Sequence, residues 1–142
     1  MSESTPKRIL AVDDDAIALS ALRQILMAKG YEVLTAASGE DALEILERGE
    51  HLDLILLDVA LPGISGFEVC RKIRQQEQTR DVPVIFLTAK GRLLDIAEGD
   101  QAGSDLYLVK PVLASKLLHM LSLFLTPDAP LAKRPREYRN AG

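Results

Sequence analysis

The sequence predicts a parallel, doubly wound α/β domain, in which a five-stranded sheet is covered by helices on both faces. Short apolar runs alternate five times with segments whose apolar residues recur at helical spacing. The short runs are continuously apolar, which is typical of strands that are buried on both faces. Strict alternation of strand and helix favours parallel pairing through helical crossovers.

The first half of the chain contains two strands and two helices. Residues 9–12 are the first apolar run, and the helix after it shows leucines three or four residues apart until Gly30, where such a helix would end. Residues 32–36 carry side chains that favour strands and predict the second strand. Ser38 begins a capping-box pattern, which predicts the start of the second helix there.

The second half shows the same alternation, although its fourth helix has a weaker pattern. The predicted elements are a third strand at residues 53–57, a third helix at 66–77, a fourth strand at 84–87, a helix around 93–97, a fifth strand at 106–109 and a last helix at 112–125.

Length and composition indicate one globular domain. The chain has 142 residues, of which 47% are hydrophobic and 27% charged. We expect the domain to span residues 8–126, with a disordered N-terminus at 1–7. Residues 127–142 are rich in proline and arginine and are interpreted as a flexible tail or a truncated linker.

Charge and cysteine content exclude several classes of protein. A net charge of −4 argues against direct binding of nucleic acid. The single cysteine, Cys70, rules out an internal disulfide and fits a reducing compartment. The N-terminus has no long apolar segment after its charges, so no signal peptide is expected, and no apolar run is long enough to cross a membrane. We therefore expect a cytoplasmic protein.

Charged residues follow three of the predicted strands. Asp13 and Asp14 follow the first strand, Asp58 follows the third, and Lys110 follows the fifth. The carboxyl ends of the strands are where doubly wound sheets bind ligands. Carboxylates held close together resist ionisation unless a divalent cation neutralises them. A lysine among them suggests a site for a group with many anionic oxygens, such as a phosphoryl group.

Four short motifs, each at a strand end, resemble those of the receiver domains of two-component response regulators. They are Val12-Asp13-Asp14, Asp58 with Leu61-Pro62 and Gly66, Thr88-Ala89, and Lys110-Pro111. The resemblance extends over about residues 8–125. It implies a flavodoxin-like fold with strand order 2-1-3-4-5, an order that other doubly wound proteins share.

The resemblance implies that Asp58 is the phosphoacceptor and that Mg²⁺ is the cofactor. Asp14 would bind the metal directly, and Asp13 would act largely through water. Asp58 and the backbone carbonyl of Ala60 would complete the set of oxygen ligands, which is the kind that Mg²⁺ prefers. Asp15 is expected only to cap the first helix.

The remaining motifs would bind the phosphoryl group and change conformation when it is bound. Thr88, Ala89 and Lys110 would contact its oxygens, and the bond from Lys110 to Pro111 is expected to be cis. Thr88 would move toward the phosphoryl group, and Tyr107 would fill the space left behind. Such a packing change is a common way for a charge event to alter a surface.

The resemblance further implies that a histidine kinase or a histidine phosphotransfer protein donates the phosphoryl group. The output surface would comprise the fourth helix, the fifth strand and the last helix, and its downstream target is unknown. Leu118 and Leu125 lie off the main apolar stripe of the last helix. Exposed leucines there would suggest partner docking or a homodimer, unless the tail folds back over them.

Two positions differ from common family choices. Ala60 stands two residues after the phosphoacceptor, and Lys90 stands two residues after Thr88. In the family, these two positions flank the path of the water that hydrolyses the acyl phosphate. Because Ala60 cannot orient a water molecule, we expect slow self-dephosphorylation.

A second function remains open at this point. Residues 13–15 contain the Asp-x-Asp pattern that haloacid-dehalogenase-type phosphatases also use, with Asp13 as nucleophile. That interpretation leaves Asp58 and its Pro-Gly loop without a role.

Two further functions are disfavoured. A scaffold that works without phosphorylation would not need these acids. Nucleotide binding is disfavoured because no Gly-x-Gly-x-x-Gly follows the first strand.

Overall fold

A computed structural model describes residues 5–89 and 101–126 of the chain. These residues form five strands and four helices. The predicted helix around residues 93–97 lies outside the described residues. In chain order the elements are β1 (Arg8–Val12), α1 (Ala16–Ala28), β2 (Glu32–Ala36), α2 (Gly39–Glu47), β3 (Leu54–Asp58), α3 (Gly66–Gln75), β4 (Val84–Thr88), β5 (Leu106–Val109) and α4 (Ala114–Leu125).

The sheet is parallel throughout and has the order β2-β1-β3-β4-β5, which confirms the predicted fold class. The strand ends are nearly level, since Val12 pairs with Leu57, Asp58 with Leu87 and Thr88 with Val109. The strand order reverses between β1 and β3. In doubly wound sheets this point opens a crevice at the carboxyl ends of the strands.

Each face of the sheet has its own hydrophobic core. One cluster joins the sheet to α2 and α3 through residues such as Ala42, Phe67 and Ile73. The other joins the sheet to α1 and α4 through Leu26 and Leu121. Every residue of β3 is buried, which fits a central strand covered on both sides.

Side-chain caps fix where helices α1 and α2 begin. The Asp15 carboxylate accepts hydrogen bonds from the backbone N–H groups of Ile17 (3.0 Å) and Ala18 (3.2 Å), so the expected cap of α1 is confirmed. Ser38 Oγ accepts from the N–H of Asp41 at 3.0 Å and caps α2. These caps fix the turns that lead out of β1 and β2.

Some predicted boundaries were wrong by one or two residues. The third strand begins at Leu54 and ends with Asp58, so Asp58 is part of the sheet. Asp53 precedes it, and its carboxylate accepts a hydrogen bond from the N–H of Arg8 at 2.8 Å. The third helix ends at Gln75, short of the predicted residue 77.

The prediction of surplus exposed leucines on the last helix was wrong for Leu125. Leu125 is buried, and Leu118 is partly buried against the same core cluster. A helix that lies on a sheet buries more than one narrow stripe, which is why residues off the stripe are also covered. The exposed leucine is Leu113 (73%), which precedes α4. The helix itself begins at Ala114, two residues later than predicted.

Among the described residues, no helix is both long enough and apolar enough to cross a membrane.

Candidate functional site

Lys110 joins two carboxylates at the carboxyl edge of the sheet. Its Nζ atom donates to Asp13 Oδ2 at 2.9 Å and to Asp58 Oδ2 at 3.1 Å. The contact with Asp13 links residues 97 positions apart in the chain. Asp13 is 2% exposed and Asp58 is 6% exposed, so both carboxylates are withdrawn from bulk water. The structure therefore brings together the charged ends of β1, β3 and β5.

The alternation of side chains along a strand determines the side of the sheet toward which Asp58 and Thr88 project. Leu56 and Leu108 pack in the α1/α4 core cluster, and Asp58 and Lys110 follow them by two residues. Phe86 packs in the opposite cluster, and Thr88 follows it by two residues. Because alternate residues of a strand share a face, Asp58 projects toward the α1/α4 side and Thr88 toward the other. Lys110 lies just beyond β5, and its Nζ atom reaches Asp58 at 3.1 Å.

The pKa values of Asp58 and Lys110 are both raised. Burial raises the pKa of Asp58, and the hydrogen bond and charge of Lys110 offset this only in part. Burial lowers the pKa of Lys110, but its hydrogen bonds to Asp13 and Asp58 outweigh that effect and raise it overall. The folded chain therefore holds a charged lysine beside a carboxylate whose ionisation is disfavoured.

Three carboxylates are close enough to share one cation. One oxygen from each of Asp13, Asp14 and Asp58 lies within 4.8 Å of the others. The second carboxylate oxygen of Asp13, Oδ1, accepts a hydrogen bond from the N–H of Asp15 at 2.9 Å, which fixes the orientation of the side chain. Asp14 is exposed and therefore open to solvent. Oxygen donors of this kind and number fit Mg²⁺, which keeps several of its own waters.

The loop after β3 is folded tightly around Asp58. The N–H of Ala60 donates to Asp58 Oδ1 at 3.2 Å, and the N–H of Gly66 donates to the carbonyl of Val59 at 3.0 Å. A Cβ atom on residue 66 would collide with the carbonyl oxygen of Asp58. Glycine is required at this position because the backbone of α3 passes directly against the end of β3.

Glu40 also supports this loop, and no sequence signal predicted that role. Its Oε2 atom accepts the backbone N–H of Ile64 at 3.2 Å, which ties the start of α2 to the loop. The two residues are 24 positions apart and carry no recognisable joint motif. Only the packing of α2 beside α3 brings them together.

Three further predicted features of the site lie within the described residues. Thr88 is buried, with its hydroxyl 3.5 Å from the carbonyl oxygen of Ala89. The Tyr107 ring stacks on Phe86 with 5.6 Å between ring centroids. The bond between Lys110 and Pro111 is cis. Lys90 lies outside the described residues.

The chain matches the model of the response regulator receiver domain over residues 9–122. One curated relative is the transcriptional regulatory protein AfsQ1 of Streptomyces coelicolor. It is 51% identical over 107 residues, which are 75% of this chain and 45% of the relative. The chain thus spans about half the length of the curated regulators it matches.

Two solved structures show the same fold. Chemotaxis protein CheY4 of Vibrio cholerae superimposes with a TM-score of 0.79 at 34% identity, covering 83% of this chain and 98% of that one. The receiver domain of the sensor histidine kinase PA1611 of Pseudomonas aeruginosa gives a TM-score of 0.77 at 36% identity, covering 83% and 96%. In the second structure a magnesium ion is coordinated in the active-site cleft.

Proposed function

The chain belongs to the response regulator receiver family, and on that premise we propose that its Asp58 carboxylate accepts a phosphoryl group with the help of Mg²⁺ and Lys110. Proteins of this family are signalling modules in two-component systems. The observation that carries the assignment to Asp58 is the convergence of Asp13, Asp58 and Lys110 at one sheet edge.

Each residue of the site would have a distinct task. Asp13, Asp14 and Asp58 would hold the metal with the carbonyl of Ala60. Bound there, Mg²⁺ would offset the negative charge of the transferred group. Lys110 would pair with a phosphoryl oxygen, because a lysine ammonium acts as a point charge that can leave one carboxylate for another anion. Asp58 would attack phosphorus in line with the leaving group.

The donor would be a phosphohistidine of a histidine kinase or of a phosphotransfer protein. The bond between phosphorus and the imidazole nitrogen would break as the bond to Asp58 forms. The donor must approach the carboxyl edge of the sheet. Ile17 and Leu113 are exposed, and they follow Asp15 and Pro111, which lie near this edge, by two residues. Their side chains are therefore suited to contact the donor protein.

A phosphatase that uses Asp13 as its nucleophile has no support among the relatives. It also leaves Asp58, which is the last residue of the central strand β3 and contacts Lys110, without a role.

The assignment is tested by incubating the chain with acetyl phosphate and Mg²⁺ and measuring intact mass. We expect one phosphoryl adduct on the wild type, loss of the adduct in EDTA, and no adduct on Asp58→Asn. Asp53→Asn is the matched control, because Asp53 directly precedes β3 at the end opposite Asp58. An adduct that persists on Asp58→Asn would place the acceptor elsewhere.

A switch through Thr88 and Tyr107 would report phosphorylation to the fifth strand and the last helix. The two side chains project to the same face, next to Phe86, on which the Tyr107 ring is stacked. Movement of Thr88 would change the space open to that ring. A downstream protein or a second copy of the chain would then meet an altered surface.

We expect Tyr107→Ala to uncouple this switch from phosphorylation. In the wild type, phosphorylation should change amide hydrogen exchange in β5 and α4. In Tyr107→Ala the change should be lost while the mass adduct still forms, and Tyr107→Phe should behave as wild type because it keeps the ring. Equal exchange changes in Tyr107→Ala and the wild type would rule out the aromatic relay.

Slow loss of the phosphoryl group is expected from the methyl side chain of Ala60. Ala60 is exposed next to Asp58 and has no polar atom with which to orient an attacking water. We expect Ala60→Asn to shorten the lifetime of the acyl phosphate several-fold, measured by intact mass after removal of the donor. A wild-type lifetime of seconds, or an unchanged lifetime in Ala60→Asn, would refute this explanation.

A further inference from the structure

An apolar cleft of about 560 Å³ lies between α1 and the start of α4. Ala18, Ala21 and Leu22 form part of one wall, and Val112 and Leu117 form part of the other. The alanines leave room that larger side chains would fill. The volume lies within the range typical of sites for small organic molecules.

The cleft opens directly onto the candidate phosphorylation site. Asp13, Ala89 and Lys110 belong to its lining. Lys110 Nζ is 3.1 Å from Asp58 Oδ2, so the reacting carboxylate lies one contact away from the cleft. Asp58 projects toward the side of the sheet that α1 and α4 cover, which is the side where the cleft lies.

The chemistry of the combined site changes along its length. At the sheet edge, the cleft and the phosphorylation site offer an ammonium group and carboxylates suited to a metal. Between the helices, the lining is mainly apolar, with side chains such as Leu22 and Leu117. A matching ligand therefore carries a phosphoryl group at one end and a short apolar chain at the other.

We propose that this cleft receives the apolar acyl group of an acyl phosphate, so that the chain takes its phosphoryl group from acyl phosphates larger than acetyl phosphate in preference to acetyl phosphate itself. The inference rests on the proposed function of Asp58. An Asp58 oxygen forms a bond to phosphorus while the bond from phosphorus to the acyl oxygen breaks. The electron pair of that bond leaves on the carboxylate product, and no proton or redox partner is required.

Butyryl phosphate and acetyl phosphate provide a matched pair of donors. Their leaving groups are carboxylates of nearly equal basicity, so the donors differ chiefly by two methylene groups. Burial of each methylene favours binding about fourfold, and we therefore expect a second-order rate constant roughly tenfold higher for butyryl phosphate. The rate is measured by intact mass in Mg²⁺ at donor concentrations below saturation.

A larger side chain in the cleft should remove this preference. Ala21→Leu adds three carbon atoms to the cleft wall, and the ratio of the two rate constants should fall toward one. Ala28→Leu makes the same change near the end of α1, at an exposed residue outside the cleft, and should retain the wild-type ratio. Circular dichroism would verify that both variants are folded.

A binding measurement without phosphoryl transfer provides an independent readout. Butylphosphonate cannot transfer its phosphorus, and in the proposal its chain occupies the cleft. We expect it to shift the amide NMR signals of Ala18, Ala21 and Leu117 in the wild type and to shift them less in Ala21→Leu. Shifts confined to residues outside the cleft would overturn the proposal.

The outcomes separate the two levels of inference. Equal rate constants for the two donors, or an Ala21→Leu ratio that equals the wild-type ratio, would overturn the cleft proposal and leave Asp58 as the acceptor. Failure of both donors to modify the wild type would overturn both. The cleft proposal is supported if butyryl phosphate reacts faster than acetyl phosphate in the wild type and in Ala28→Leu, and if this difference is lost in Ala21→Leu.

Discussion

Replacement of Lys110 by methionine is expected to slow phosphorylation of Asp58 by about 10²–10³-fold, the usual cost of removing one group that stabilises charge in a transition state. Lys110 is the described cation that touches both Asp13 and Asp58. Methionine retains an unbranched side chain of similar length and removes the charge. The rate is measured by intact mass with acetyl phosphate and Mg²⁺.

The same replacement should destabilise the metal-free fold. It leaves the buried carboxylates of Asp13 and Asp58 without their shared cation. Loss of one partner from a fully buried pair costs about 3–5 kcal/mol. Because the Lys110 side chain is 33% exposed and solvent screens it in part, we expect a loss of about 1–3 kcal/mol in the free energy of unfolding.

The pH dependence of this loss follows from the raised pKa of Lys110. A base whose pKa is raised in the folded state contributes stability that is fully present below its unfolded pKa of about 10.4. The contribution is lost as the pH rises through the higher folded value. The difference between wild type and Lys110→Met should therefore persist from neutral pH to about pH 10 and disappear only above it.

Magnesium binding distinguishes an electrostatic role of Lys110 from general damage. Without the lysine, Asp13 and Asp58 attract a cation more strongly, so Mg²⁺ should bind more tightly even though phosphorylation slows. Lys116→Met, at an exposed position on α4, should leave both properties unchanged. Weaker Mg²⁺ binding in Lys110→Met would contradict this account of the site.

Replacement of Gly66 by alanine is expected to lower the free energy of unfolding by about 1–3 kcal/mol and to slow phosphorylation about 10²-fold. The added Cβ atom would meet the carbonyl oxygen of Asp58 and lie 3.0 Å from the Cα atom of Val59. Both are backbone atoms, so no side-chain rotation relieves the contact. The end of β3 must shift, and it carries the acceptor carboxylate with it.

Gly49→Ala is the control for this effect. Gly49 has a φ of +78° and open space around the position of its Cβ atom. Alanine there should cost about 1–2 kcal/mol through backbone strain alone, with no change in the phosphorylation rate. Denaturant unfolding and the mass assay are applied to both variants. If Gly66→Ala phosphorylates at the wild-type rate, the contact with Asp58 does not position the carboxylate.

The sequence predicted the fold well because its strands and helices differ clearly in pattern. Continuous apolar runs marked four of the strands, side chains that favour strands marked β2, and the motifs at the strand ends indicated the acidic edge. The boundary of the third strand was wrong because Asp53 and Asp58 both flank an apolar run. Asp58 belongs to the strand because it pairs with Leu87 of β4, a contact between residues that are distant in the chain.

The last helix shows a second limit of sequence patterns. Leu118 and Leu125 stand off the main stripe, and a regular helix considered alone exposes them. In the structure both pack against the α1/α4 core. The width of the buried surface depends on how a helix lies on the sheet, which periodicity does not encode.

Local sequence determined the order of the elements, the placement of the acids and the lysine at the strand ends, and the cap of the first helix. These features depend on neighbouring residues and on the two periodicities of the backbone. Tertiary structure decided three other features: the contacts of Lys110 with both Asp13 and Asp58, the support of the loop by Glu40, and the cleft beside α1. These features join residues that are far apart in the chain. Their distances exist only once the helices are packed on the sheet.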